Sequence, residues 1–184
     1  PPSMDAPGSK WLLPRDSTQT PIKANAMQTH PELQWLQDFE VGQTFAFGYW
    51  RMTTADILEF ASKYDPEPFH LDPEQARALG WGDIIASGPQ VAAICRRMQK
   101  DGFPNVQTVI SPGWEHVKWR LPVYAGDQLT AHGTVCQVRP LASRPGEGLM
   151  QMDNRILRQD GAEVASMLSN WFVRMRPPLT QAAD

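Results

Sequence analysis

The chain has 184 residues, with 17 Lys plus Arg against 20 Asp plus Glu, for a formal net charge of −3. That mild, mixed charge is not the basic balance of a nucleic-acid-binding protein. A hydrophobic fraction of 41% supports a core, the length fits one domain, and no apolar run reaches the roughly 18 residues of a membrane span.

Proline is abundant, at 17 residues, and its placement divides the chain. Residues 1–30 hold Pro1, Pro2, Pro7, Pro14 and Pro21 among scattered polar residues, with no sustained period. They are expected to form a tail, in which Trp11, Leu12 and Leu13 are available for docking. Residues 31–176 are expected to form the folded domain and residues 177–184 a second tail. Cys95 and Cys136 each stand alone, without Cys-x-x-Cys spacing or a disulfide framework. With no charged start followed by an apolar run, the expected location is the reducing cytoplasm.

Gln43 to Arg51 reads as an early or edge strand. A helix opens at Thr53-Thr54-Ala55-Asp56, where Thr53 can cap and Asp56 suits the first turn. Its apolar side runs through Ile57, Leu58, Phe60, Ala61 and Tyr64, and it stops before Asp65-Pro66. A short helix follows from Asp72-Pro73-Glu74-Gln75 to near Gly80. Asp72 is its N-cap, Pro73 its start, and Gln75 can complete a capping box. Gly88-Pro89 opens the most apolar helix, through Val91, Ala92, Ala93, Ile94, Cys95 and Met98 to Gly102.

The period then changes. Extended segments are expected over Thr108–Val123, Gln128–Val138, Leu149–Arg158 and Glu163–Met175. Gly126-Asp127 and Asp160-Gly161 are turns, the latter a tight hairpin. Helices followed by a run of antiparallel strands make an α+β layout, with a sheet packed on one long helix.

Chemistry concentrates between the first two helices. Tyr64-Asp65-Pro66-Glu67-Pro68-Phe69-His70-Leu71-Asp72-Pro73 carries three prolines, which stiffen the expected loop. A stiff bend can bring Asp65 and His70 to one small volume, where a carboxylate and an imidazole can share a water or a proton. The same residues also fit a plain Asp-Pro turn beside a hydrogen-bonded core histidine. Glu67 reads as a solvated side chain at the loop tip. At Ala86-Ser87-Gly88-Pro89, free N–H groups at a helix start can hold a developing oxyanion, and glycine allows close approach. An ordinary cap, with Ser87 capping and Pro89 at the first helical position, is the simpler reading of these residues alone. The four histidines, His30, His70, His116 and His132, form no His-Glu-x-x-His or Cys/His grouping, so no metal site is expected. No dinucleotide fingerprint or P-loop is present.

Tyr64-Asp65-x-x-Pro68-Phe69-His70-Leu71-Asp72 resembles the signature of MaoC-like dehydratases, the (R)-specific enoyl-CoA hydratase group. Ala86-Ser87-Gly88, Ser111-Pro112-Gly113-x-Glu115 and Trp119-Arg120-Leu121-Pro122-Val123-Tyr124-Ala125-Gly126-Asp127-Gln128-Leu129 agree with it. The resemblance runs from Asp38-Phe39-Glu40-Val41-Gly42 to Arg176. It departs at Glu67, where the family often has Asn, and at Ser87, where the family often has His.

The resemblance implies a hot-dog fold, an antiparallel sheet wrapped around a long central helix, usually paired as a homodimer or built into larger assemblies of dimers. It implies interconversion of trans-2-enoyl-CoA and (R)-3-hydroxyacyl-CoA, with Asp65 and His70 as the catalytic pair and the Gly88 N–H on the thioester carbonyl. No cofactor is implied beyond the coenzyme A of the substrate. Trp81 and Ile85, with Phe69, Ile84 and Met98, are candidates for an acyl slot or for plain core, and Ser87 borders the site. Arg96 and Arg97, with Lys100 and Arg120, are candidates for the coenzyme A phosphates or for solvated faces. A non-catalytic thioester-binding protein and a thioesterase are the alternative readings on this fold.

Overall fold

The structure is a computed structural model and describes residues 32–178. The tail expected over 1–30, with Trp11, Leu12 and Leu13, lies outside the described residues, as do residues 179–184.

After a single 3-10 turn, Leu36–Asp38, strand β1 (Thr44–Arg51) leads into helix α1 (Thr54–Tyr64). Thr53 caps α1 as expected, and the box is reciprocal: Asp56 N–H donates to Thr53 Oγ1 (3.0 Å) while Thr53 N–H donates to Asp56 Oδ2 (3.1 Å). Two short helices follow, α2 (Pro68–Leu71) and α3 (Pro73–Ala78). Helix α2 corrects the sequence reading, which kept this stretch as loop. Pro68 stands in its first turn, where a fixed φ favours helix and a missing N–H costs nothing. At α3, Asp72 Oδ1 accepts from the backbone N–H groups of both Glu74 and Gln75. Gln75 thus joins the cap through its backbone.

Helix α4 (Gly88–Gly102) is the long one, and it buries Val91, Ala92, Ile94, Cys95 and Met98. The chain then forms β2 (Thr108–Trp119), β3 (Gln128–Pro140), β4 (Glu147–Arg158) and β5 (Glu163–Arg174). The strand expected to reach Val123 ends at Trp119. Pro122 supplies no ladder donor, and the chain turns away so that Tyr124 bridges to Ile85.

The pairings between these five strands are antiparallel, in the order β1-β3-β4-β5-β2, so β1 and β2 are the two edges. One sheet face is buried, through Leu129, Ala131 and Val135 on β3, Met150, Met152 and Ile156 on β4, and Ala165, Met167, Trp171 and Val173 on β5. Helix α4 lies on that face. Gln99 Nε2 donates to Asn154 Oδ1 (2.6 Å), and Asn154 Nδ2 donates to Met152 O (2.8 Å) and Ser169 Oγ (2.9 Å). This buried polar network fixes the helix against β4 and β5. At the other end, Phe39, Phe45, Phe47 and Phe103 pack edge to face and stacked around the α4 C-terminus.

Candidate active site

Four short pieces of chain meet at the start of α4. Asp65 ends α1, its N–H donating to Ala61 O (3.0 Å). The turn continues through Glu67 N–H to Asp65 O (2.8 Å) and His70 N–H to Glu67 O (2.9 Å), which winds His70 back toward Asp65. Glu67 itself is exposed, as expected. The third piece, Ile84 to Ser87, is held in place by Ile85 N–H to Phe69 O (3.3 Å) and Ala86 N–H to Val123 O (2.8 Å). The fourth is the α4 N-terminus, with Ser87 as N-cap and Gly88 as the first helical residue.

His70 is buried, and its Nδ1 lies 2.6 Å from Ile85 O. A carbonyl oxygen only accepts, so Nδ1 carries the hydrogen. In the neutral form of the ring Nε2 is then the nitrogen without a hydrogen, and that atom lies 3.5 Å from Asp65 Oδ2. This separation is long for a direct hydrogen bond. It suits one oxygen, from water or substrate, touched by both groups.

Asp65 Oδ2 also accepts a 2.6 Å bond from Ser87 Oγ. Ser87 is fully buried and its side chain caps nothing. Its hydroxyl instead fixes the carboxylate, a short charge-assisted contact. Sequence reasoning had Ser87 bordering the site or capping the helix. A bond across 22 residues leaves no local spacing signal.

Gly88 packs closely against Trp119. A Cβ there would stand 2.6 Å from Trp119 Cε2 and 2.8 Å from its Nε1. The indole of Trp119 thus lies directly over Gly88, with 47% of the residue still exposed. Trp119 was legible only within the quoted motif, because contact between β2 and the helix start is tertiary. The Gly88 N–H is a first-turn donor that no helical carbonyl reaches, and it sits at the positive end of a 15-residue helix.

The structure thus brings Asp65, His70, Ile85, Ser87 and Gly88 together. Trp81 and Phe69 are each partly buried against the core. Ile84 and Met98 are core residues. Arg97 projects from the exposed face of α4 and pairs with Asp101 (2.9 Å). Arg96 is half-buried, its guanidinium 4.5 Å from the Trp171 ring, and burial lowers its pKa from the ordinary value. Lys100 donates to Pro104 O (2.9 Å), and Arg120 pairs with Glu163. A surface cavity of about 350 Å³ is lined by His116, Lys118, Cys136, Asp153 and Arg155, among others, and by none of the five site residues. Among the described residues, no three His, Cys, Asp or Glu side chains are grouped to hold a metal ion. No helix among them is long and apolar enough to cross a membrane.

A family model described as "MaoC like domain" matches residues 38–149. The crystal structure of a MaoC-like dehydratase from Rhodospirillum rubrum is 36% identical, covers 79% of this chain and 99% of its own, and superposes with a TM-score of 0.73. The (R)-hydratase of Aeromonas caviae involved in PHA biosynthesis is 27% identical and covers 76% of this chain and 99% of its own, with a TM-score of 0.61. A mitochondrial 3-hydroxyacyl-acyl-carrier-protein dehydratase of Solanum lycopersicum is 26% identical over 67% of this chain and 73% of its own. The matched span of the family model contains Asp65, His70, Ser87 and Gly88 together, and the chain belongs to the MaoC-like family of hydratases and dehydratases, with its α+β hot-dog fold.

Proposed function

We propose that the protein is a hydro-lyase acting on an acyl-coenzyme A thioester. It adds water to a trans-2-enoyl-CoA to give the (R)-3-hydroxyacyl-CoA, or removes water in the reverse direction. The observation that carries this reading is the tautomer lock on His70. With Nδ1 committed to Ile85 O, Nε2 is left as a proton acceptor facing Asp65 at 3.5 Å. A water held between the two loses a proton as its oxygen bonds to C3 of the enoyl group. The proton is returned to C2 from the same pair. Negative charge gathers on the thioester oxygen in between, and the Gly88 N–H, aided by the α4 dipole, stabilises it. Ser87 keeps the Asp65 carboxylate aimed during both transfers. The (R) outcome and the coenzyme A carrier are supported by the resemblance to the Aeromonas caviae enzyme. The unit is proposed to be a homodimer or an assembly of dimers.

The test is hydration of enoyl-CoA esters of graded length, followed by loss of enoyl absorbance and chiral analysis of the product. Asp65→Asn and His70→Ala are each expected to fold and to lose about a hundredfold or more in kcat/KM. Full activity in both variants would remove the assigned roles. Release of free thiol without loss of the double bond would identify a thioesterase instead.

A further inference from the structure

Two buried nitrogen donors on the α4 side of the sheet have no acceptor among the described residues. Arg96 Nη1 and Trp171 Nε1 are both shut away from solvent, and neither makes a hydrogen bond. They belong to one stack, with the Arg96 guanidinium carbon 4.5 Å from the Trp171 ring. Trp171 is 1% exposed, so its N–H has no route to bulk water. Burial lowers the Arg96 pKa, and no Asp or Glu among the described residues offsets it. Leaving such donors unpaired is costly, most of all on a cation.

The pair lies on the flank of α4 that also holds the oxyanion donor. Arg96 follows Gly88 by eight residues, about 12 Å of helix rise and roughly 80° of turn. Helical side chains lean towards the N-terminus, which brings the guanidinium back towards Gly88. Gly88 is covered by Trp119, which stands opposite Ala165 of β5, and Trp171 lies further along the same strand. Ala165 and Trp171 are both buried on the face that carries α4. Trp114 stands beside this flank, opposite the buried Ser169, and both Trp114 and Trp119 remain partly exposed. The α4 side of the edge strand is therefore reached from solvent. A coenzyme A diphosphate does not suit the pair, because it carries several charges and calls for a cluster of cations. Arg97 pairs outward with Asp101, and Lys100 donates to Pro104 O, so neither joins Arg96. A buried guanidinium beside an indole N–H suits a single planar carboxylate.

We propose that Arg96 and Trp171 bind a carboxylate at the far end of the acyl group, so that the substrates of this site are thioesters of dicarboxylic acids. The inference rests on the hydro-lyase reading of Asp65, His70 and Gly88. The thioester oxygen sits at the Gly88 N–H, C3 lies beside Asp65 and His70, and the chain runs along α4 to Arg96. Its carboxylate accepts from Arg96 Nη1 and Trp171 Nε1 and neutralises a cation that the fold leaves uncompensated. A neutral chain of the same length leaves both donors unpaired. Selection therefore comes from the penalty on the wrong substrate as well as from the bonds to the right one. A rise of about 12 Å, less the lean of the side chain, favours a diacid of about eight carbons over a four-carbon one.

The test compares matched esters on the full chain. Hydration is measured with trans-2-octenedioyl-CoA and trans-2-octenoyl-CoA, and binding by calorimetry with the saturated octanedioyl-CoA and octanoyl-CoA. The wild type is expected to prefer the diacid about ten- to hundredfold, in kcat/KM and in affinity. Arg96→Met keeps an apolar stem on Trp171 and is expected to abolish or invert that preference. Arg96→Lys keeps the charge without the planar fork and is expected to fall between. A wild type with no preference overturns the inference, and so does a preference that survives in Arg96→Met. Equal weakening of both esters in Arg96→Met also overturns it, because it assigns Arg96 to the coenzyme A that they share. If the wild type hydrates neither ester, the hydro-lyase reading fails. The calorimetry then decides the carboxylate site by itself: tighter binding of the diacid, lost in Arg96→Met, sustains it, and equal binding overturns it.

Discussion

Replacing Ser87 with alanine separates a positioning role from a structural one. The substitution removes one hydroxyl, the 2.6 Å donor to Asp65 Oδ2. It removes no helix cap, because the Ser87 side chain accepts no first-turn N–H. Ala at this fully buried position introduces no clash and only a small void. A hydrogen bond to a charged group contributes about 1.5–3 kcal/mol. Asp65 keeps 30% of its side chain exposed, so solvent compensates in part and the loss should be about 1–2 kcal/mol. If the bond holds the carboxylate in the geometry that activates water, the barrier rises by the same order. At about 1.4 kcal/mol per decade, kcat falls roughly 5- to 30-fold. KM should change little, since the hydroxyl is spent on Asp65. Steady-state hydration kinetics and urea denaturation, run on Ser87→Ala and on Ser87→Thr as the hydroxyl-retaining control, measure both effects. A variant that loses stability but keeps its wild-type kcat would refute the positioning argument.

Three further outcomes follow from the structure. Gly148→Ala would drive a Cβ into Leu36 and to 2.6 Å from the Arg139 carbonyl oxygen. Backbone cannot yield cheaply, so a loss of about 1–3 kcal/mol in denaturant midpoint experiments is expected. Asp160 in the β4–β5 hairpin has its pKa lowered to about 2, chiefly by its hydrogen bond from Arg158. A lowered folded-state value contributes stability above the unfolded pKa near 4, and that stability disappears as pH falls through about 2. Asp160→Asn should therefore cost up to about 1 kcal/mol at pH 7, because the pair is partly exposed, and only a small fraction of that at pH 2. Stability curves at the two pH values check it. Burial raises the Cys95 thiol to about 12, whereas Cys136 is exposed. A thiol reagent at pH 8 should label Cys136 at once and Cys95 only on unfolding, as read by peptide mass.

Most of the secondary-structure elements were legible in the sequence, and Asp65, His70 and Gly88 stood out there as candidates. Capping residues and prolines are local signals, so Thr53, Asp72 and Gly88 marked helix starts. Alternation and turn glycines marked the strands. The motif from Tyr64 to Asp72 drew attention to Asp65 and His70, because three prolines stiffen the segment that holds them and because it resembles the family signature. Helix α2 escaped because four residues carry too little period to tell a helical turn from a bend.

The tertiary structure decided what each group touches. Only packing sets His70 Nδ1 on Ile85 O, 15 residues away, and thereby frees Nε2. Only packing gives Ser87 to Asp65, lays Trp119 over Gly88, and pairs Arg97 with Asp101 and Arg120 with Glu163. The physical reason is common to all of these. Propensity and period act over a few residues, whereas hydrogen-bond partners and contact surfaces are chosen across the fold.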